Sequence, residues 1–307
     1  MVGKKKRFDK KLLFYIGLLA LPLLQFCIFY VYVNFKFIAL AFKGYDVVNF
    51  THEFVGFANF QTVFDKIFIS KESTAFAIRL KNSLFNYAMT LLVGMVGAVV
   101  FSYYIYKKQF LSGTFKIVLF LPHIIPSVAL ISIFKYFVDA GGVTLVNSLF
   151  DLEQPIETLL KNDKYNYPII LSYSLFMGFG TQVLMYLGAM NKINPSITEA
   201  AELDGITFFK ELWYITLPNV LSTITTFFVV GLTTFFTSDV GVYTFFAENA
   251  GPNIQTIGYY LKREIVRNTS NEAQWGYLSA FGLCCTLIVA PLSYTLRQIL
   301  EKADPLA

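Results

Sequence analysis

The sequence predicts an all-α integral membrane protein with six transmembrane helices and a helix-turn-helix loop between the fourth and fifth. Three observations predict it. Hydrophobic residues make up 55% of the 307 and charged residues only 15%, against about 25% charged in soluble domains. Six separate stretches reach the roughly 20 mostly apolar residues that cross a bilayer. The interruption between the fourth and fifth stretches, residues 191–219, has a helical periodicity of its own.

The same composition excludes disorder, because the apolar content is far too high. The net charge of +5 is modest. Nucleic-acid binding would need a clustered basic face, and the dense cluster is Lys4, Lys5, Lys6, Arg7, Lys10 and Lys11, directly before an apolar run. That placement reads as a cytoplasmic anchor under the positive-inside rule. Cys27, Cys284 and Cys285 all lie in apolar segments and read as small buried hydrophobes rather than a disulfide or metal framework.

The first span runs from about 12 to 35, too long for the apolar core of a cleaved signal peptide. The others cover about 84–106, 116–138, 168–190, 220–243 and 275–297. Tyr103, Tyr104, Tyr106, Tyr136, Trp275 and Tyr277 cluster at the ends, as interfacial belts require. An even number of spans puts both termini on one side. The basic block at 1–11 and the short Lys107/Lys108 loop make that side cytoplasmic. Residues 12–297 then form one six-span domain with a cytoplasmic tail at 298–307.

Between the first two spans, Phe54, Phe57, Phe60 and Phe64 have helix-like spacing and predict a short helix along the outer interface. Pro122 and Pro126 predict a kink in the third span. Gly180 and Gly188, eight residues apart in the fourth, share a helix face and suit close packing. Lys135 and Asp239 lie near the outer ends of spans, either beside a path or snorkelling at the interface.

The loop 191–219 carries the function. Pro195 suits a first helical turn, and Glu199 and Glu202 follow where the helix dipole favours acids. Asp204-Gly205 reads as a turn. A second helix follows over Thr207–Tyr214, with Pro218 opening the fifth span. The hairpin exposes Phe208, Phe209 and Trp213, so it needs a partner surface.

Glu199-Ala200-Ala201, three residues, Gly205, nine residues, then Ile215, one residue, Leu217-Pro218 resembles the EAA loop of ABC importer permeases. Val55-Gly56-Phe57, Asn59-Phe60, Asn82, Leu121-Pro122, Gly251-Pro252 and Thr256 are similar to segments of the carbohydrate (maltose/oligosaccharide) type. Ile206 and Ala250 depart from that pattern. The resemblance implies a non-catalytic permease subunit of an ATP-driven, binding-protein-dependent sugar importer in a prokaryotic inner membrane. It implies a second permease subunit (carbohydrate importers of this type usually pair two distinct chains), two ATPase subunits and an extracytoplasmic substrate-binding protein. ATP and Mg would sit on the partner ATPase, and no cofactor is expected on this chain. Coupling would pass through Glu199, Ala200, Ala201, Asp204, Gly205, Phe208, Phe209, Trp213, Ile215, Leu217 and Pro218.

No phosphate-binding GxxxxGK[ST] loop, HExxH or GxSxG pattern occurs in the sequence. His52 and His123 are far apart and read as packing residues rather than metal ligands. Sugar sites combine aromatic faces with amides and hydroxyls. The candidates for the substrate path are Tyr173, Ser174, Gln182 and Tyr186 in the fourth span, and Thr233, Thr234, Ser238 and Asp239 near the fifth. The competing class, an ion-coupled secondary transporter or channel subunit, would show inverted repeats and several buried acids. The sequence has no evident repeat.

Overall fold

In the computed structural model, residues 10–70, 72–150 and 158–302 are described. Lys4, Lys5, Lys6 and Arg7 of the basic block lie outside them. Among the described residues, six helices are long and apolar enough to cross a membrane: Phe14–Ala41, Ser73–Tyr106, Ser127–Leu149, Asn166–Met190, Phe208–Thr234 and Glu272–Lys302. The chain divides into two compact units, one of 1–69 with 268–285 and one of 70–267 with 286–307.

In the first unit the helix Phe14–Ala41 buries almost nothing within the chain. Cys27 is therefore exposed rather than buried, and Cys284 and Cys285 are only half-buried. A small hairpin follows, Lys43–Asp46 against Thr51–Phe54, antiparallel with Lys43 opposite Phe54. The hairpin corrects the expected Phe54–Phe64 helix. Gly56 adopts φ +60°, a conformation that ends the strand, and the helix begins only at Ala58. Phe54 is a strand residue, while Phe57 and Phe60 pack on Phe42 at 5.5 and 5.2 Å between ring centroids. Asn59 Nδ2 donates to the carbonyls of Ala41 (2.9 Å) and Lys43 (2.8 Å). A Cβ on Gly276 would lie 2.4 Å from that Lys43 oxygen, so only glycine fits there. His52 pairs with Glu272 at 3.4 Å.

The second unit holds two apolar clusters. One gathers Ile131, Ile170, Tyr173, Val242, Phe245, Ile254 and Tyr259. The other gathers Ala98, Val99, Tyr103, Val183, Tyr186, Met190, Leu212 and Val220. Gly180 explains one close approach. Its Cβ would fall 2.2 Å from the Leu119 carbonyl oxygen. Gly178 and Gly188 have nothing within 4 Å, so the expected shared glycine face serves at Gly180 alone.

Three expected spans differ. The second helix starts at Ser73, eleven residues before the apolar run, because polar Arg79, Asn82 and Ser83 pack inside the unit: Asn82 Nδ2 donates to the carbonyls of Asn253 (2.8 Å) and Gln255 (2.9 Å). The third is broken rather than kinked. A helix Ser112–Phe120 ends in a tight turn Leu121–His123, and Pro126 is extended at ψ 131° before a new helix starts at Ser127. Two prolines four apart remove successive donors, and each disfavours helix in the residue before it. The fifth stops at Thr234 rather than Tyr243. Val240 and Gly241 have positive φ, 57° and 82°, which no α-helix accommodates. At its other end this helix runs without interruption from Phe208 through Pro218. A wider, π-type turn at Leu212–Thr216 precedes the proline, which could not donate to a regular turn.

Candidate functional site: a hairpin between spans four and five, and a polar cavity

The hairpin is built from strong local signals. Asn194 caps the first helix, its side-chain oxygen accepting from Ser196 N at 3.1 Å, and Pro195 fills the first turn. The helix Pro195–Leu203 ends in a Schellman motif. Ile206 N donates to Ala201 O (3.1 Å) and Gly205 N to Glu202 O (3.1 Å), with Gly205 at φ +69°. That left-handed residue is the physical reason for a glycine at this point of the motif. Thr207 is extended, and the second helix starts at Phe208.

The motif residues divide into two faces. Glu199, Ala200, Asp204 and Gly205 are exposed, while Ala201 is buried and Ile215, Leu217 and Pro218 are half-buried. Phe209 and Trp213 are 74% and 65% exposed, joined on the outside by Leu203 at 89% and Tyr214 at 71%. Phe208 does not belong with them. Its ring lies 4.6 Å from that of Tyr103, whose hydroxyl donates to Phe208 O at 3.1 Å. It fastens the hairpin to the second span.

The second fastening is a pairing that sequence reasoning did not foresee: it read Lys107 only for orientation and Glu202 only for the helix dipole, and did not single out Glu211. Lys107 Nζ stands 2.8 Å from Glu202, on the first arm, and 3.0 Å from Glu211, on the second. Glu211 is 2% exposed. Burial draws the Lys107 ammonium down, but hydrogen bonds to the two carboxylates outweigh it and raise it above its ordinary value. The hydrogen bond from Lys107 in turn lowers the Glu202 carboxyl. No local signal could have found this, because Lys107 and Glu202 are 95 residues apart in sequence.

A cavity of about 170 Å³ opens between the second, fourth and fifth helices. Ser174, Gln182, Thr234 and Ser238 line it, as the sequence suggested. Tyr173, Tyr186, Thr233 and Asp239 are elsewhere. Tyr173 packs obliquely on Phe134 (4.9 Å between ring centroids) and edge-to-face on Phe245 (5.1 Å), and Tyr186 is fully buried against Phe227. The hydroxyl of Thr233 bonds back to Val230 O at 2.7 Å. Asp239 pairs with Lys262 at 2.9 Å, and Lys135 donates to Phe245 O, so the two charges do not meet. Asn86, Tyr87, Thr90, Phe179 and Phe235 also line it. The signal for Asn86 was present, since an amide inside an apolar helix needs a reason. His123 Nε2 lies at hydrogen-bond distance, 3.0 Å, from Thr181 Oγ1.

Residues 90–305, which include the hairpin and most of the cavity lining, match the family of binding-protein-dependent transport system inner membrane components. The chain belongs to this family. It is a multi-pass inner-membrane permease. The permease is 27% identical over 232 residues to a polygalacturonan/rhamnogalacturonan transport system permease of Bacillus subtilis, covering 72% of this chain and 68% of that one. It is 22% identical over 287 residues to a multiple sugar-binding transport system permease of Streptococcus mutans, covering 93% and 94%. Its fold matches a chain in the crystal structure of a bacterial ABC transporter that imports the acidic polysaccharide alginate. That match has a TM-score of 0.74, 20% identity and coverage of 94% and 96%.

Proposed function

We propose that this permease is one half of the translocation path of an ATP-driven sugar or oligosaccharide importer. The hairpin docks on a cytoplasmic ATPase. A second permease, usually a different chain in importers of this type, would complete the path, and an extracytoplasmic binding protein would deliver the sugar. ATP and Mg would be held by two ATPase subunits, and hydrolysis would occur there. Both termini would then be cytoplasmic.

The observation that carries the reading is the continuity of the helix Phe208–Thr234. Its first turns carry Phe209 and Trp213, and its last residue, Thr234, lines the cavity. At 1.5 Å per residue the separation is roughly 40 Å. A push on the exposed face reaches the cavity wall through one rigid element, the rigid-body kind of transition that alternating access needs. The first arm moves with it, because Lys107 ties both arms to the second span. The cavity is smaller than the roughly 300–1,000 Å³ of closed ligand pockets, as a half-site completed by a second subunit would be.

The test is reconstitution with the ATPase and binding protein, read as ATPase retention and ATP-dependent sugar uptake. Retention by the wild-type permease and its loss in Phe209→Ala/Trp213→Ala support the reading. A double variant that retains the ATPase and transports normally removes the hairpin as the coupling element.

A further inference from the structure

We propose that the cavity takes an electrically neutral glycosyl unit and discriminates against uronate sugars. This rests on the reading of the chain as a sugar permease, and it names the class of sugar.

Among the described residues, none that lines the cavity carries a charge. The carboxylate of Asp239, next to the lining residue Ser238, is engaged by Lys262, and Lys135 is directed to the Phe245 carbonyl. A carboxylate entering this half-site would lose its hydration with no cation in the lining to meet it. An unpaired anion in a poorly hydrated site is costly, and sites built for carboxylates supply Arg or Lys.

The second observation concerns hydrogen-bond direction. Asn86 Oδ1 and Gln182 Oε1 are buried without a partner, and both side chains line the cavity. A buried acceptor left unmade is destabilising. These two acceptors need O–H donors. Sugar hydroxyls supply them, whereas an ionised carboxylate is acceptor-only and cannot donate to either oxygen. The rings of Tyr87, Phe179 and Phe235 offer apolar faces for the C–H side of a pyranose.

The experiment uses the complete reconstituted transporter with its binding protein. Labelled neutral di- to pentasaccharides of glucose, galactose and xylose are compared with oligogalacturonates and oligomannuronates of the same lengths. The expected result is ATP-dependent accumulation of a neutral saccharide. Gln182→Leu and Asn86→Leu should each lower that uptake about tenfold, the worth of one net hydrogen bond. ATP hydrolysis stimulated by the binding protein, and assembly with the ATPase, should persist, which separates loss of the subsite from misfolding. Accumulation of uronates but not neutral sugars overturns the inference while leaving the sugar-importer reading intact. Unchanged neutral uptake in both variants also overturns it. If no saccharide of either class moves although the complex hydrolyses ATP, the sugar reading itself falls, and this inference with it.

Discussion

The ammonium of Lys107 lies 3.0 Å from the carboxylate of Glu211, whose side chain is only 3% exposed. With Glu202 at 2.8 Å, one cation at the end of the second span closes both arms of the hairpin. Removing the cation in Lys107→Met leaves Glu211 as a buried carboxylate without its partner. The expected cost is about 1–3 kcal/mol, read as a lower unfolding midpoint and faster proteolysis between 203 and 207. Lys107→Met/Glu211→Leu should recover most of it, because the uncompensated charge is then gone. If the single variant is as protected as wild type, the clamp does not hold the hairpin.

The same clamp sets a pH window. The Glu202 carboxyl is lowered from 4.5 by Lys107, so its contribution is present above that value and lost as pH falls through its folded pKa. Lys107 is raised from 10.5, the carboxylate hydrogen bonds outweighing burial, so its contribution is lost only as pH rises beyond 10.5. Protection of the hairpin amides from hydrogen exchange, corrected for intrinsic rate, should stay flat from about pH 5 to about pH 10 and fall only below the lower limit, as Glu202 is protonated, and beyond 10.5, as Lys107 loses its proton. A midpoint near pH 7 would contradict the assignment.

Gly205 sits at φ +69°, and a Cβ added there would meet nothing within 4 Å. Substitution therefore strains the backbone alone. Gly205→Val should cost about 1–2 kcal/mol and loosen the turn, with every span still inserted. Gly205→Asn, which tolerates the left-handed region, should cost less. Equal ATPase retention by the two variants would show that the turn's conformation is irrelevant to docking.

Phe208 and Phe209 are neighbours with opposite fates. Phe209→Ala or Trp213→Ala should leave the permease as stable as wild type and weaken ATPase retention, by about 2 kcal/mol for a well-packed anchor. Phe208→Ala removes the ring packed on Tyr103 and should lower the permease's own stability. Identical profiles for the two phenylalanines would refute the division of faces.

Orientation is checked by cysteine labelling after the native cysteines are replaced. Gln109→Cys and Lys161→Cys are both exposed positions. An impermeant reagent on intact cells should modify position 161 and spare 109. The reverse result overturns cytoplasmic termini.

The sequence by itself determined whatever depends on local composition and spacing. Apolar runs long enough for a bilayer gave six spans. Pro195 and Asp204-Gly205 gave the hairpin, because a first-turn proline and a turn glycine act within a few residues of themselves. Only tertiary structure decided which way side chains face. Phe208 and Phe209 are equally apolar, and Ser174 and Thr233 equally plausible as path residues. Burial against Tyr103 separates the first pair, and the packing of the second, fourth and fifth helices separates the other. The limits of the third and fifth spans were likewise hidden. Apolar composition continues through Pro122–Pro126 and through Phe235–Phe236, while the donors missing at the two prolines break the third span and the positive φ angles of Val240 and Gly241 bar the fifth from reaching Tyr243. Lys107 was the least legible of all, because an ion pair across 95 or more residues exists only once the chain has folded.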